Sequence, residues 1–299
     1  MANYAKSTKV TQLINAKKIL GGSASKTDPW FGISYTLNLY RGCSHGCIYC
    51  DSRSKCYQIK DFDNIEIKQN AIELLHKELR SKKKRQTIGF GSMNDCYMPI
   101  EKEYKLTRKA LEVVLHHRFP IHIITKGNLV TRDIDLLKQI SKVYAAVSIT
   151  ITAAEDELSR KIEPHAPLSS QRFNTLKQLS DADIYCGVTL MPVIPFITDT
   201  QTNIKKLVYK AKEAGAKYII GGFGMTLREG NRDYFYKQLD KTFPHLKKRY
   251  IDTFGDRYSC YTQTTNLLYN SFKQLCNRMN MPTKMKFYSP SKDLQNSLF

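Results

Sequence analysis

The sequence predicts an α/β protein organised around a parallel sheet, and three observations carry that prediction. Short β-rich runs alternate six times with longer amphipathic runs from residue 33 to about 225, and each helical run is long enough to connect parallel neighbours. No glycine-rich dinucleotide fingerprint follows the first run, which disfavours a nucleotide-binding doubly wound half, although an open sheet and a full or partial barrel both satisfy the alternation. The chemically distinctive residues fall after the β-rich runs, where a barrel carries its chemistry.

The elements follow in order. Residues 33–40 (ISYTLNLY) read as a strand that ends at Arg41-Gly42 and a cysteine cluster. Ile72, Leu75 and Leu79 recur at helical spacing, so residues 70–80 form an amphipathic helix. Residues 87–91, 121–125, 144–151, 184–193 and 217–221 are the remaining strands. Residues 106–117, 132–141, 169–179 and 202–214 are the helices between them, the last closed by Gly215. The alternation stops near residue 225. The expected organisation is an N-terminal extension (1–32), a βα core (33–225) and a C-terminal extension (226–299) with helical spacing over 258–279.

Composition narrows the class. With 41% hydrophobic and 25% charged residues the chain is globular in character. No run approaches the roughly 18–20 apolar residues of a membrane span, and the N-terminal region has no apolar signal core, so a cytoplasmic protein with no membrane partner is expected. Lys and Arg number 47 against 27 Asp and Glu, a net charge of +20. Residues 204–299 hold 18 of the basic and 7 of the acidic residues, +11 of that total, interleaved with Tyr and Phe. Such charge suits DNA or RNA, with bases stacking on rings and cations tracking phosphates; it also simply keeps a protein soluble. Tyr258, Tyr261 and Tyr269 are candidate stacking rings, but core aromatics at helical spacing are commoner and Tyr261 is read as core.

The eight cysteines are unevenly placed, which in a reducing compartment indicates metal binding or catalysis. Cys43, Cys47 and Cys50 lie within Arg41-Gly42-Cys43-Ser44-His45-Gly46-Cys47-Ile48-Tyr49-Cys50, and the two glycines let that loop curl. Structural zinc and ordinary 4Fe–4S clusters take four ligands, so three thiolates suggest an iron with an open position. A zinc site completed by Cys56 or His45 is the rival reading.

Cys43-x3-Cys47-x-Tyr49-Cys50 after the first strand resembles the signature of the radical S-adenosylmethionine (SAM) superfamily. Further segments resemble its spore photoproduct lyase-like branch, also called DNA repair photolyase-like. They are Leu37 to Cys43, Asn94 to Glu101 with Asp95, Tyr97, Pro99 and Glu101 retained, Thr125-Lys126 with Thr131-Arg132-Asp133, Ser148-Ile149-Thr150, Glu163-Pro164 with Arg172, and Met191 to Pro195. The resemblance implies a partial (β/α)6 TIM-type barrel with an α-rich C-terminal extension. It implies a 4Fe–4S cluster on Cys43, Cys47 and Cys50 with SAM chelated at the unique iron, and reductive cleavage to a 5′-deoxyadenosyl radical that abstracts a substrate hydrogen. Tyr49 matches the position beside the adenine. Lys126 is expected at the SAM carboxylate, Ser148 at the carboxylate or ribose, and Asn94 or Asp95 at the amine, with a turn-capping role the alternative for Asp95. Glu163 pairs with Arg172 or reaches the ribose.

One departure stands out. The hydrogen-donating cysteine of true spore photoproduct lyases falls at Ser92 here, and the nearby thiol is Cys96, the candidate catalytic residue. Reversal of a thymine photoproduct is therefore not implied. The expected function is a radical SAM enzyme, lyase- or transferase-like, served by an external one-electron reductant of flavodoxin or ferredoxin type, with nucleic acid as the leading substrate. Modification of a peptide or protein partner is the alternative, followed by a non-catalytic, metal-containing nucleic-acid-binding protein.

Overall fold

Each of the six β-rich runs forms a strand of one sheet in the computed structural model, which describes residues 12–290. These are β1 (Tyr35–Leu37), β2 (Ile88–Phe90), β3 (Ile121–Thr125), β4 (Ala145–Thr150), β5 (Tyr185–Val193) and β6 (Ile219–Phe223). They pair in parallel in chain order, and Leu20–Gly22 adds an antiparallel edge beside β1. That edge strand and β6 remain unpaired with each other, so the α/β sheet is a partial barrel of the expected type. The crossovers contain α1 (Ala71–Arg80), α2 (Leu106–His116), α3 (Ile134–Ile140), α4 (Ser169–Asp181) and α5 (Gln201–Glu213). Residues 1–11 of the predicted N-terminal extension lie outside the described residues.

The period of two in the strands separates two environments. Ile121, Ile123, Val147, Ile149, Val188 and Leu190 pack in the same buried cluster as Leu111, Val114, Leu137, Leu176, Leu179 and Leu207 of the helices. The alternate positions carry His122, Ser148, Thr150 and Thr189, which are buried and bond across neighbouring strands. Apolar side chains thus fix the helical layer, while the inner face is lined by polar groups.

Three elements differ from the sequence reading. The first strand is only three residues long, because Tyr40–Arg41 leaves the barrel and pairs with Glu66–Lys68, which also pairs with Gln12–Ile14. The helix expected from residue 132 begins at Ile134 after a 3-10 segment, Asn128–Asp133, whose last residue is held by two arginines. In the extension, Ser259–Cys260 pairs antiparallel with Met225–Thr226, so the last helix starts only at Thr265.

The extension comprises α6 (Asn231–Thr242), α7 (Leu246–Phe254) and α8 (Thr265–Arg278). Leu268, Phe272 and Leu275 of α8 join the helical core of the barrel. Phe235, Leu239, Tyr250 and Phe254 instead form a second buried cluster with Cys47, Ile48 and Tyr49. Arg53, just after the cysteines, stacks 3.8 Å from the Tyr234 ring and 4.8 Å from Phe62, and pairs with Asp63. The extension is therefore built onto the cysteine-bearing loop. Phe235→Ala should cost about 3–5 kcal/mol in urea unfolding of the cluster-free chain; a change below about 1 kcal/mol would show that the shared core does not support the fold.

Candidate active site

The cysteine loop is shaped by its backbone. Gly42 and Gly46 both have positive φ (83° and 68°), and a Cβ at Gly42 would lie 2.7 Å from the Phe62 and Asn64 carbonyl oxygens. Cys43 N–H donates to Phe62 O (2.9 Å), Ile48 N–H to Ile162 O (2.9 Å), and His165 N–H to His45 O (3.1 Å). These bonds fold the loop back over the barrel and bury Cys43 and Cys47, with Cys50 half-buried. Burial pushes all three thiols up, Cys47 to about 12; the charges of Cys47 and Cys50 add to the shift of Cys43, and that of Cys50 to the shift of Cys47. The loop thus gathers three thiols whose thiolate forms need a cation.

Asp95 ties this loop to the strand ends. Its carboxylate accepts from Thr125 Oγ1 (2.5 Å), Lys126 N (2.6 Å) and Tyr97 N (2.9 Å), and stands 3.2 Å from His45 Nε2. Burial alone would raise its carboxyl, but His45, Lys126 N–H and Thr125 outweigh burial and hold it well below the usual range. The bond from Tyr97 N–H closes the turn that Asp95 begins, while the next helix has no side-chain cap.

Asn94 and Lys126 are different, because each retains unmet capacity. Asn94 donates from Nδ2 to the Tyr40 carbonyl, leaving its buried Oδ1 without a partner. The half-buried Lys126 ammonium makes no hydrogen bond or ion pair with another described residue and lies 5.7 Å from the Tyr49 ring. Burial lowers its proton affinity, yet nearby Cys47 and Glu163 raise it further, so the cation is kept.

Tyr49 donates its hydroxyl to Glu163 Oε1, and Arg172 Nη1 meets Glu163 Oε2 at 2.6 Å. Arg172 also donates to Thr150 O (3.0 Å) and Pro167 O (2.7 Å). Glu163 and Arg172 side chains are fully buried, so the pair expected from the sequence anchors the ring of Tyr49. A second clamp lies behind the Asp95 loop. Tyr40 donates to Glu101, Arg132 bridges Glu101 and Asp133 at 2.8 and 2.7 Å, and Arg108 reaches Asp133 at 2.9 Å.

The remaining predicted residues sit in closed surroundings. The Ser148 hydroxyl lies 2.7 Å from both His122 Nε2 and Tyr218 OH on the inner face of the barrel, and burial drops His122 to about 3, leaving a neutral imidazole. Neither His122 nor Tyr218 is marked by a motif; their bonds cross 26 and 70 residues of chain. Cys96 is 2% exposed, and burial, with Asp95, Glu101 and Asp133 nearby, pushes its thiol well up. The Cys96 carbonyl accepts from Thr107 Oγ1 (2.6 Å). Ser92 Oγ bonds with the Asn38 side chain. Cys56, offered as a fourth zinc ligand, is exposed beside Arg228, and His45 faces Asp95. Among the described residues no three His, Cys, Asp or Glu side chains are placed to hold one metal ion. Ligands on separate irons of a cluster stand farther apart than ligands of one ion.

Residues 37–208 match the Radical SAM superfamily, and the chain belongs to it. An uncharacterized protein of Mycobacterium tuberculosis is 31% identical over 228 residues, 74% of this chain and 67% of its own. An uncharacterized protein of Methanocaldococcus jannaschii is 34% identical over 174 residues, 57% of this chain and 64% of its own. Spore photoproduct lyase, solved with a dinucleoside spore photoproduct, superposes with a TM-score of 0.66 at 13% identity, over 90% of this chain and 79% of the lyase. The protein is a radical SAM enzyme with a 4Fe–4S cluster and SAM as cofactors.

The residues present fit those groups. A buried acceptor without a donor and an ammonium without a hydrogen bond match an amine and a carboxylate, and three gathered thiols match iron. The Glu163–Arg172 anchor gives a test independent of the cofactors. Arg172→Met leaves a buried, unpaired carboxylate and should cost about 3–5 kcal/mol by urea unfolding. The Glu163→Gln/Arg172→Met double variant should recover part of that loss, and a double variant as unstable as additivity predicts would rule out the coupling.

Proposed function

We propose that Cys43, Cys47 and Cys50 hold the cluster, that Asn94 Oδ1 accepts from the SAM amine, that Lys126 pairs with the SAM carboxylate, and that the enzyme acts on nucleic acid. The observation that supports this most is the placement of two unmet polar groups of opposite demand, Asn94 Oδ1 and the Lys126 ammonium, around the cysteine loop. When bound and reduced, the cluster and SAM supply a 5′-deoxyadenosyl radical that removes a hydrogen atom from the substrate.

This chain's residues hold and shield that chemistry. Lys126 is fixed at its main chain by Asp95, and Tyr49 is fixed by Glu163, so cation and ring meet SAM without reorganising. The extension helices cover the cysteine loop through Phe235, Leu239, Tyr250 and Phe254, which excludes water from that side. Ser148 acts in this reading through the fixed His122–Ser148–Tyr218 group lining the barrel. Cys96 is closed off by burial, and in this reading it takes no part in the hydrogen transfer. The lyase that shares the fold is solved with a dinucleoside lesion, and the +20 charge and exposed tyrosines suit a polyanion that stacks. No helix of the described residues is long and apolar enough to cross a membrane.

Anaerobically reconstituted protein with SAM and dithionite should form 5′-deoxyadenosine well above a Cys43→Ala control. Formation no greater than in that control contradicts the assignment of the cluster to this loop. Lys126→Ala should weaken SAM binding by about tenfold or more with the iron content unchanged; unchanged SAM affinity removes Lys126 from the site. Binding of single-stranded DNA or RNA should fall steeply with salt, and negligible affinity at low salt would exclude the nucleic-acid substrate.

A further inference from the structure

Tyr261 corrects the sequence reading most usefully. Expected in the core, it is 52% exposed, because it lies in the loop between the Ser259–Cys260 strand and α8. Its ring is nevertheless held in place. Gly224, at φ 90°, lies so close that a Cβ there would come within 2.2 Å of Tyr261 Cδ1. Gly224 N–H in turn donates to Val193 O (3.0 Å), so the ring rests where β5 and the chain leaving β6 meet.

Beside that ring is an open groove of about 690 Å³, lined by Phe196, Asp199, Arg249, Arg257, four threonines and Gln263. The segment containing Phe196 and Asp199 follows β5, so the groove opens at the same end of the barrel as the cysteine loop. Arg249 stacks its guanidinium 3.8 Å from the Phe196 ring centroid and makes no hydrogen bond or ion pair with another described residue. Arg257 donates to the Phe254 and Thr253 carbonyls at the end of α7 and has no carboxylate partner among the described residues. Asp199 is the acidic lining residue; it is half-buried, and burial raises its carboxyl although the nearby Arg249 charge opposes that. The groove therefore offers two cations, hydroxyl donors and a preset, half-exposed ring.

We infer that this groove binds one unit of a single-stranded nucleic acid, its base stacked on Tyr261 and its phosphate held by Arg249 and Arg257. The inference rests on the nucleic-acid reading above and adds where the strand docks: outside the barrel, between the β5–α5 segment and the extension. Base stacking on an aromatic ring and cation contact to phosphate are sequence-tolerant, so this groove grips the strand while the barrel selects the reacting residue.

The test is fluorescence anisotropy of the reconstituted enzyme with a labelled oligothymidylate and an oligouridylate of about twelve nucleotides, across a salt series. Tyr261→Ala should weaken binding about tenfold, Tyr261→Phe should restore it, and Arg249→Glu should lower the salt dependence by about one unit. Lys83→Glu, in the basic run 82–85 beyond α1, serves as a charge control and should have a smaller effect than Arg249→Glu. If the wild type binds but the Tyr261 and Arg249 variants match it, the groove is overturned and the nucleic-acid reading survives. If the wild type binds neither strand at low salt, that reading fails first. Release of the strand by inorganic phosphate as readily as by unlabelled strand, at equal phosphate content, would reduce the groove to an anion site and overturn the inference.

Discussion

The carboxylate of Asp95 is the constraint on which the site depends. Three separate segments meet it: the cysteine loop through His45 at 3.2 Å, its own turn through the Tyr97 donor, and the end of β3 through the Thr125 and Lys126 donors. Each is short, and none could hold its position by local preference alone. A buried, ionised carboxylate with three donors and His45 beside it is costly to disturb, since losing it would leave several buried polar groups unpaired. Lys126 gains its orientation from that fixed main chain, and its ammonium has no hydrogen bond or ion pair among the described residues.

Two further ionic groups with buried carboxylates extend the same logic. Glu163 and Arg172 hold Tyr49 from the far side, while Glu101, Arg132, Asp133 and Arg108 brace the turn that carries Asp95. Many residues that mark the family resemblance therefore serve geometry before chemistry. Carboxylates buried against arginines specify one arrangement of the loops, and burying an ion pair gains specificity more than net stability.

The sequence made the barrel legible because strand and helix periods are local signals, and Ile121–Thr125 forms with the bounds its run suggested. The cysteine motif was legible as well, since its spacing is contained within eight residues. What escaped detection was long-range. The bonds of Ser148 to His122 and Tyr218 depend on neighbouring strands, and the shared core of Ile48 and Phe235 spans most of the chain. Tyr261 was misread because a strand pairing delays the start of α8, moving the ring from a helical face into a loop. The excess charge was visible by counting, but its relation to a groove required the fold.

The central claim is that Asp95 preorganises the site for SAM without itself touching the cofactors. Electron paramagnetic resonance of the reduced cluster, recorded with and without SAM in wild type and Asp95→Ala, tests it most directly. The account predicts that both proteins, matched for iron and sulfide content, give a cluster signal, that SAM perturbs the wild-type signal, and that at the same SAM concentration the variant signal stays unchanged. An equal SAM-induced change in both would contradict it.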